Sequence, residues 1–258
     1  MSEILATTRP QGDALVVPVV GAATDVGRLR TVNEDGYLAM APAFVVVDGM
    51  GGHAAGRAAT RAALSALAPL AGADITGEQD IVEAVLAAGE AVAAIPSHAA
   101  HRPGATVAGA VLARRPESLT WIIFNIGDSR VYLLRDAVLT QMSRDHSQVQ
   151  ALIDAGQLTP AQARRDPRKN VVTRALGAGL DQEAVPDIRT VAAQCGDRLL
   201  ICSDGLSDEL DDEALATVLD AGMRPQHTAE AAVAAALEAG GHDNTTALVV
   251  DLVPESAL

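Results

Sequence analysis

Apolar runs in this chain stop at acidic residues. Phe44-Val45-Val46-Val47 runs straight into Asp48, and Leu199-Leu200-Ile201-Cys202 runs into Ser203-Asp204. Runs of this length read as buried strands, so each presents a carboxylate at a strand end, partly desolvated yet able to reach a ligand. Asn33-Glu34-Asp35, the segment from Asp48 to His53, and His242-Asp243-Asn244 belong to the same pattern. Carboxylates gathered in this way repel one another, and no matching Lys or Arg stands beside them. The compensation this suggests is a pair of hard divalent cations with oxygen ligands.

The rest of the chain reads as strands in consecutive groups and helices in pairs. Val16 to Ala22, Phe44 to Val47, Thr106 to Ala113, Thr120 to Asn125, Arg130 to Leu134, Leu199 to Cys202 and Thr246 to Leu252 have strand character, with a hairpin turn at Arg135-Asp136. Helices are predicted over Gly56 to Leu70, Glu78 to Ile95, Asp211 to Ala221 and Thr228 to Ala239, the second opened by a Thr76-Gly77-Glu78-Gln79 capping box. That order argues for an α+β protein with helices layered on antiparallel sheets, not for a regular βαβ alternation. Neither repeats nor a composition break divides residues 1–258, so a single domain is expected.

Aromatic residues make up only 2% of the chain, which leaves the core to Ala, Val, Leu and Ile. With 19 basic against 33 acidic residues the net charge is −14, and nucleic acid is excluded as a partner for want of a basic footprint. Residues Met1 to Arg9 carry no leader pattern, and no apolar run approaches the roughly 18 residues of a membrane span. A cytoplasmic protein without a membrane partner is the expectation. Cys195 and Cys202 are too few for a disulfide framework and too isolated for a zinc site. Residues 143–173 are polar and rich in breakers, with short helical pieces at Ser147 to Ala155 and Pro160 to Arg165; a stretch of this kind suits a functional flap.

Six segments taken in order resemble the bacterial branch of the metal-dependent type 2C protein phosphatases. They are Thr24 to Asp35, Asp48 to His53, Gly127-Asp128-Ser129-Arg130, Asn170 to Gly177, Ser203 to Asp208, and Asp243-Asn244, together covering nearly the whole chain. The resemblance implies a four-layer α-β-β-α sandwich, with two antiparallel sheets flanked by helical layers. It also implies two manganese or magnesium ions in a cleft between sheet edges, and hydrolysis of phosphoserine and phosphothreonine in proteins by a water bridging the ions. Partners would be phosphorylated proteins, including eukaryote-like Ser/Thr kinases and their substrates, and the working form a monomer.

By the same resemblance Asp48 bridges the ions, the Gly49 carbonyl binds one of them, and Asp204 and Asp243 bind the other. Glu34 and Asp35 hold metal-bound waters, Arg30 grips the substrate phosphate, and Asp128 helps to bind a weaker third ion. Glycine at 49 is read as leaving a ligand carbonyl free to turn outward. Arg30 has the rival reading of a surface pair with Glu34, and Asp128 that of a tight-turn residue. His53 either donates a proton to the leaving group or orients a carboxylate; Met50 occupies the place that the acid histidine takes in eukaryotic relatives.

Other functions fail on the same letters. A cysteine phosphatase needs Arg six residues after its Cys, where this chain has Ile201 and Asp208, and a P-loop needs the Lys that Gly49 to Gly52 lacks. A catalytically weak relative that only binds phosphoproteins is the remaining alternative; it would normally have lost acidic ligands, and here all are present. Arg164, Arg165, Arg168 and Lys169 concentrate in the flap and are read as a patch that attracts acidic or phosphorylated surfaces.

Overall fold

The structure, a computed structural model, describes residues 16–52, 54–96, 102–115, 118–177 and 185–257. Among these, ten strands form two five-stranded antiparallel sheets. One has the order β1 (Val16–Asp25), β10 (Thr245–Pro254), β9 (Arg198–Cys202), β6 (Arg130–Arg135) and β7 (Val138–Gln141). The other runs β2 (Asp35–Met40), β3 (Ala43–Met50), β4 (Gly104–Arg115), β5 (Ser118–Ile126) and β8 (Asp187–Ala192).

Three apolar layers hold four structural layers together. Val45 and Val47 of β3 pack with Ala59, Ala63 and Leu67 of helix α1 (Ala54–Leu67) and with Ile81 and Val85 of α2 (Glu78–Ala93). The alternate residues Phe44 and Val46 face the other sheet, where they meet Leu199, Ile201, Leu248 and Val250. Beyond that sheet, Leu200 and Val249 pack on α6 (Asp212–Leu219) and α7 (Pro225–Ala239). Sheets covered on both faces have no polar side to show, which is why their strands read as unbroken apolar runs. The chain has few aromatic residues, yet Phe44 and Trp121 meet edge to face in the middle layer, with ring centroids 6.3 Å apart. Truncating Phe44 to Ala would cost roughly 3–5 kcal/mol. The expected α-β-β-α sandwich is therefore the observed one.

Details differ from the sequence reading at the edges. Strands β2, β7 and β8 were not expected; they are short edge strands of mixed burial, and their sequences DGYLAM, VLTQ and DIRTVA carry no apolar run. The β6–β7 hairpin turns on Asp136 and Ala137, both at positive φ (51° and 59°), one residue later than predicted. Helix α2 is opened by Asp80 and not by Gln79. The Asp80 Oδ2 accepts from the Thr76 and Gly77 amides at 2.7 and 3.1 Å, satisfying donors that a helix start leaves free. Between β7 and β8 lie the short helices α3 (Gln148–Asp154) and α4 (Pro160–Ala163), each capped by a hydroxyl, from Ser147 and Thr159 respectively. Among the described residues no helix is long and apolar enough to cross a membrane.

Candidate metal centre

At one end the middle layer changes from aliphatic to acidic without a break in strand alternation. Asp48 continues the face of Phe44 and Val46, and its ladder partners are Asp35 on β2 and Thr106 on β4. From the opposite sheet, Ser203 follows Ile201 and Thr246 precedes Leu248. Both of their hydroxyls donate across the gap to Asp35 Oδ2, each at 2.7 Å. Loops then bring in the other carboxylates: Asp128 from the β5–β6 turn, Asp204 from the first residue of α5 (Asp204–Ser207), and Asp243 from the residues before β10. A cavity of about 460 Å³ opens there, lined by Arg30, Glu34, Asp48, Asp128, Asp204 and Asp243 with the Gly49 backbone.

Burial first, and then the neighbouring aspartates, push the Asp48 and Asp204 carboxyls well above the usual carboxylate range. Burial likewise raises Asp35 to about 6 and Asp128 to about 7. Among the described residues neither Asp48 nor Asp204 has a cationic partner, and Asp35 Oδ1 is buried without a donor. Such a cluster can stay neutral by holding protons or be neutralised by cations with hard oxygen ligands. Carboxylates and a carbonyl form the donor set that manganese and magnesium accept. As the side chains stand, no three of His, Cys, Asp or Glu among the described residues converge on one point. Asp243 is turned toward Arg30, whose Nη2 donates to its Oδ2 at 2.6 Å.

The supporting residues were mostly invisible in the sequence. Asn244 uses its whole amide: Oδ1 accepts from Glu34 N at 2.8 Å, and Nδ2 donates to Val26 O and Val32 O at 2.9 and 3.0 Å. It thereby ties the loop carrying Arg30 and Glu34 to the residue after Asp243. A lone Asn beside a candidate ligand was the available signal. Thr60 of α1 donates to Glu34 O at 2.5 Å. Position 49 has a packing reason to be glycine beside the one read from the sequence. A Cβ there would lie 2.2 Å from Gly56 O and 2.4 Å from Thr60 Oγ1, so the residue lets α1 approach the end of β3.

Of the predicted residues, Arg30, Glu34, Asp48, Gly49, Asp128, Asp204 and Asp243 share the cavity. Asp35 lies behind it, beside Asp48, and His53 falls outside the described residues. Ala105 is fully buried in the layer facing α1 and α2. Asn170, Val171 and Val172 bring segment 143–173 to the cavity wall. Of the four basic residues read as a patch, Arg165 is exposed, and the other three are engaged while still partly open to solvent. Arg168 pairs with Asp166 at 2.8 Å and Lys169 with Asp208 at 2.6 Å, while Arg164 donates to Ser207 O and Asp208 O at 3.1 and 3.3 Å.

Comparison with known proteins agrees with this geometry. The chain is 39% identical over 252 residues to the serine/threonine protein phosphatase PstP of Mycobacterium tuberculosis, covering 90% of this chain and 44% of that protein. It therefore spans less than half the length of that relative. To protein phosphatase PhpP of Streptococcus pneumoniae it is 33% identical, over 92% of this chain and 99% of the other. A crystal structure of the PstP catalytic domain in complex with two manganese ions superposes with a TM-score of 0.83 at 36% identity, covering 93% of this chain and all of that one. The family model described as Protein phosphatase 2C matches residues 30–239, most of the chain, and this protein belongs to the protein phosphatase 2C family.

Proposed function

We propose that this chain is a metal-dependent phosphatase acting on phosphoserine and phosphothreonine in proteins. The observation that carries the reading is the meeting of Asp48, Asp128, Asp204 and Asp243 around one cavity, with Asp48 and Asp204 buried and unpaired by any cation among the described residues. Asp48, with the Gly49 carbonyl, would hold one manganese or magnesium ion and share the other with Asp204 and Asp243; Asp128 would help to hold a weaker third. When bound, such ions acidify water at neutral pH and offset the charge of a phosphoryl group, the two requirements of phosphate monoester hydrolysis.

The chain's own groups complete the site. Glu34 and Asp35 orient waters at its edge, with Asp35 fixed by the Ser203 and Thr246 hydroxyls. Arg30 stands half-exposed at the mouth, and its planar guanidinium suits two-pronged contact with a phosphate. His53 keeps its two readings, as proton donor or as orienting residue. The same proposal takes residues 1–258 as one phosphatase domain with a flap at 143–173, working as a cytoplasmic monomer. Its partners are phosphorylated proteins, among them Ser/Thr kinases and their substrates; the likeness to the protein phosphatases PstP and PhpP supports phosphorylated proteins as the substrate class.

The test is release of phosphate from a phosphothreonine peptide with manganese and then with excess chelator. Activity that requires the metal supports the reading; activity indifferent to chelator, or none at any manganese concentration, overturns it.

A further inference from the structure

The sequence offers no role for His146, which lacks metal-ligand spacing, yet it is only 3% exposed, with its Nδ1 and both backbone groups hydrogen-bonded and its Nε2 buried facing Asp187 without a hydrogen bond of good geometry. Its Nδ1 accepts from Gly127 N at 3.0 Å, and its own amide donates to Gly127 O at 2.8 Å. One residue thus holds the amide N–H and the carbonyl of Gly127, the glycine at φ +99° that precedes Asp128. A side chain at 127 would strike Thr106 at 2.5 Å, so the turn sits tightly against β4. Behind the ring, Nε2 lies 3.1 Å from Asp187 Oδ2, and Asp187 Oδ1 accepts from Arg174 at 2.9 Å. An amide N–H can only donate, so Nδ1 is unprotonated and the neutral ring carries its proton on Nε2, toward Asp187. Burial, the largest influence on this ring, favours that neutral form.

His146 also stands at the base of segment 143–173. Its carbonyl accepts from Thr173 N at 2.8 Å, Ser147 bridges Val172, and Gln148 N donates to Val171 O at 2.9 Å. The two ends of the segment therefore close on the residue that grips the Asp128 turn, while Val171 and Val172 reach the cavity. We propose that His146 is a positioning residue that couples the base of this segment to the placement of Asp128. The proposal rests on the reading of Asp128 as a ligand of a weak third ion.

Two substitutions separate the ring nitrogens. H146N places an amide oxygen near the position of Nδ1 and keeps an acceptor for Gly127 N–H, whereas H146Q extends toward Asp187 and leaves that donor unmet. Manganese binding to the full chain is followed by calorimetry, with D128A as the reference that lacks the weakest step. H146Q should weaken that step about tenfold or more, as loss of a group that orients a ligand does, while H146N stays near wild type. Equal weakening in both variants, or in neither, overturns the proposal. If H146Q does not fold, H146N decides alone: a retained step supports the proposal and a lost step overturns it. A wild type without any step that D128A removes defeats the Asp128 reading itself, and the proposal with it, before any His146 variant is made.

Discussion

Strand β9 has an aspartate at each end, and the two are buried in opposite ways. Asp197, ahead of the strand, is 1% exposed and satisfied: Arg135 reaches its two oxygens at 2.7 and 2.8 Å, Trp121 Nε1 donates at 3.0 Å and Gln194 N at 2.9 Å. Asp204, after the strand, has its pKa raised first by burial and then by the charges of Asp128, Asp208, Asp243 and Asp35. One end of the sandwich closes on an ion pair; at the other, Arg30 and Lys169 pair with Asp243 and Asp208 at the rim while Asp48 and Asp204 have no cationic partner among the described residues. Burial of a carboxylate is therefore uninformative by itself; burial without a partner is what marks a site.

Charge removal should break the two ends differently. Asp48→Asn or Asp204→Asn is expected to lower turnover roughly a thousandfold at saturating manganese, the scale of losing a principal transition-state contact, without lowering the melting temperature. Asp197→Asn should do the reverse. Since the Arg135 side chain is 23% exposed, its stranded charge is partly solvated, and the cost should be roughly 2–3 kcal/mol of stability with turnover per folded molecule intact. Wild-type turnover in Asp204→Asn, or loss of activity in a folded Asp197→Asn, would erase the distinction.

A pair of glycines sharpens it. At Gly56 a Cβ would stand 2.7 Å from Glu34 Oε1 and 2.8 Å from Gly49 O; at Gly21 it would stand 2.1 Å from Gln226 N on α7. Gly56→Ala should therefore reduce activity by about tenfold to a hundredfold by displacing groups that orient the site. Gly21→Ala should instead lower stability by about 1–3 kcal/mol through overpacking. Kinetics and thermal melts of both variants decide the matter, and equal effects on both readouts would count against it.

The unpaired end should also show in pH dependence. Asp35 and Asp128 titrate near 6 and 7 in the folded chain, against about 3.9 when unfolded, so the folded form holds protons more tightly. No charge penalty exists below about pH 4; it accumulates as pH rises through 6 to about 7, where the folded state must ionise buried groups. In chelator the melting temperature should fall between about pH 5 and pH 7.5, and manganese at the upper pH should restore it. A flat profile would show these carboxylates to be compensated already. The smallest effect belongs to the thiols: burial pushes Cys202 up to about 12, and only Cys195 is exposed, so alkylation should leave activity unchanged.

Much of the site was legible because strand alternation is local. A run such as Phe44 to Val47 can only be a doubly covered strand, and the residue that ends it has to emerge where the layer meets water. Asp48 and Asp204 could be found that way, and the ordered motifs added Asp128, Asp243 and Arg30, all of which meet in the cavity. Edge strands escaped because one side of β2, β7 or β8 is solvated and the apolar signal halves. The pairing of the flap charges escaped for a related reason: Asp166 and Asp208 stand in plain view, but nothing in the sequence says that Lys169 reaches Asp208, 39 residues away.

By itself, then, the sequence determined which carboxylates stand at strand ends and that helices must cover both sheets, since both follow from neighbours along the chain. Only the tertiary structure decided that Asp35 sits opposite Asp48, that Asn244 joins loops more than 200 residues apart, that Gly49 makes room for Gly56, and that His146 grips the turn before Asp128. Those are contacts between distant segments. Their geometry depends on sheet register and layer packing, which local pattern does not encode.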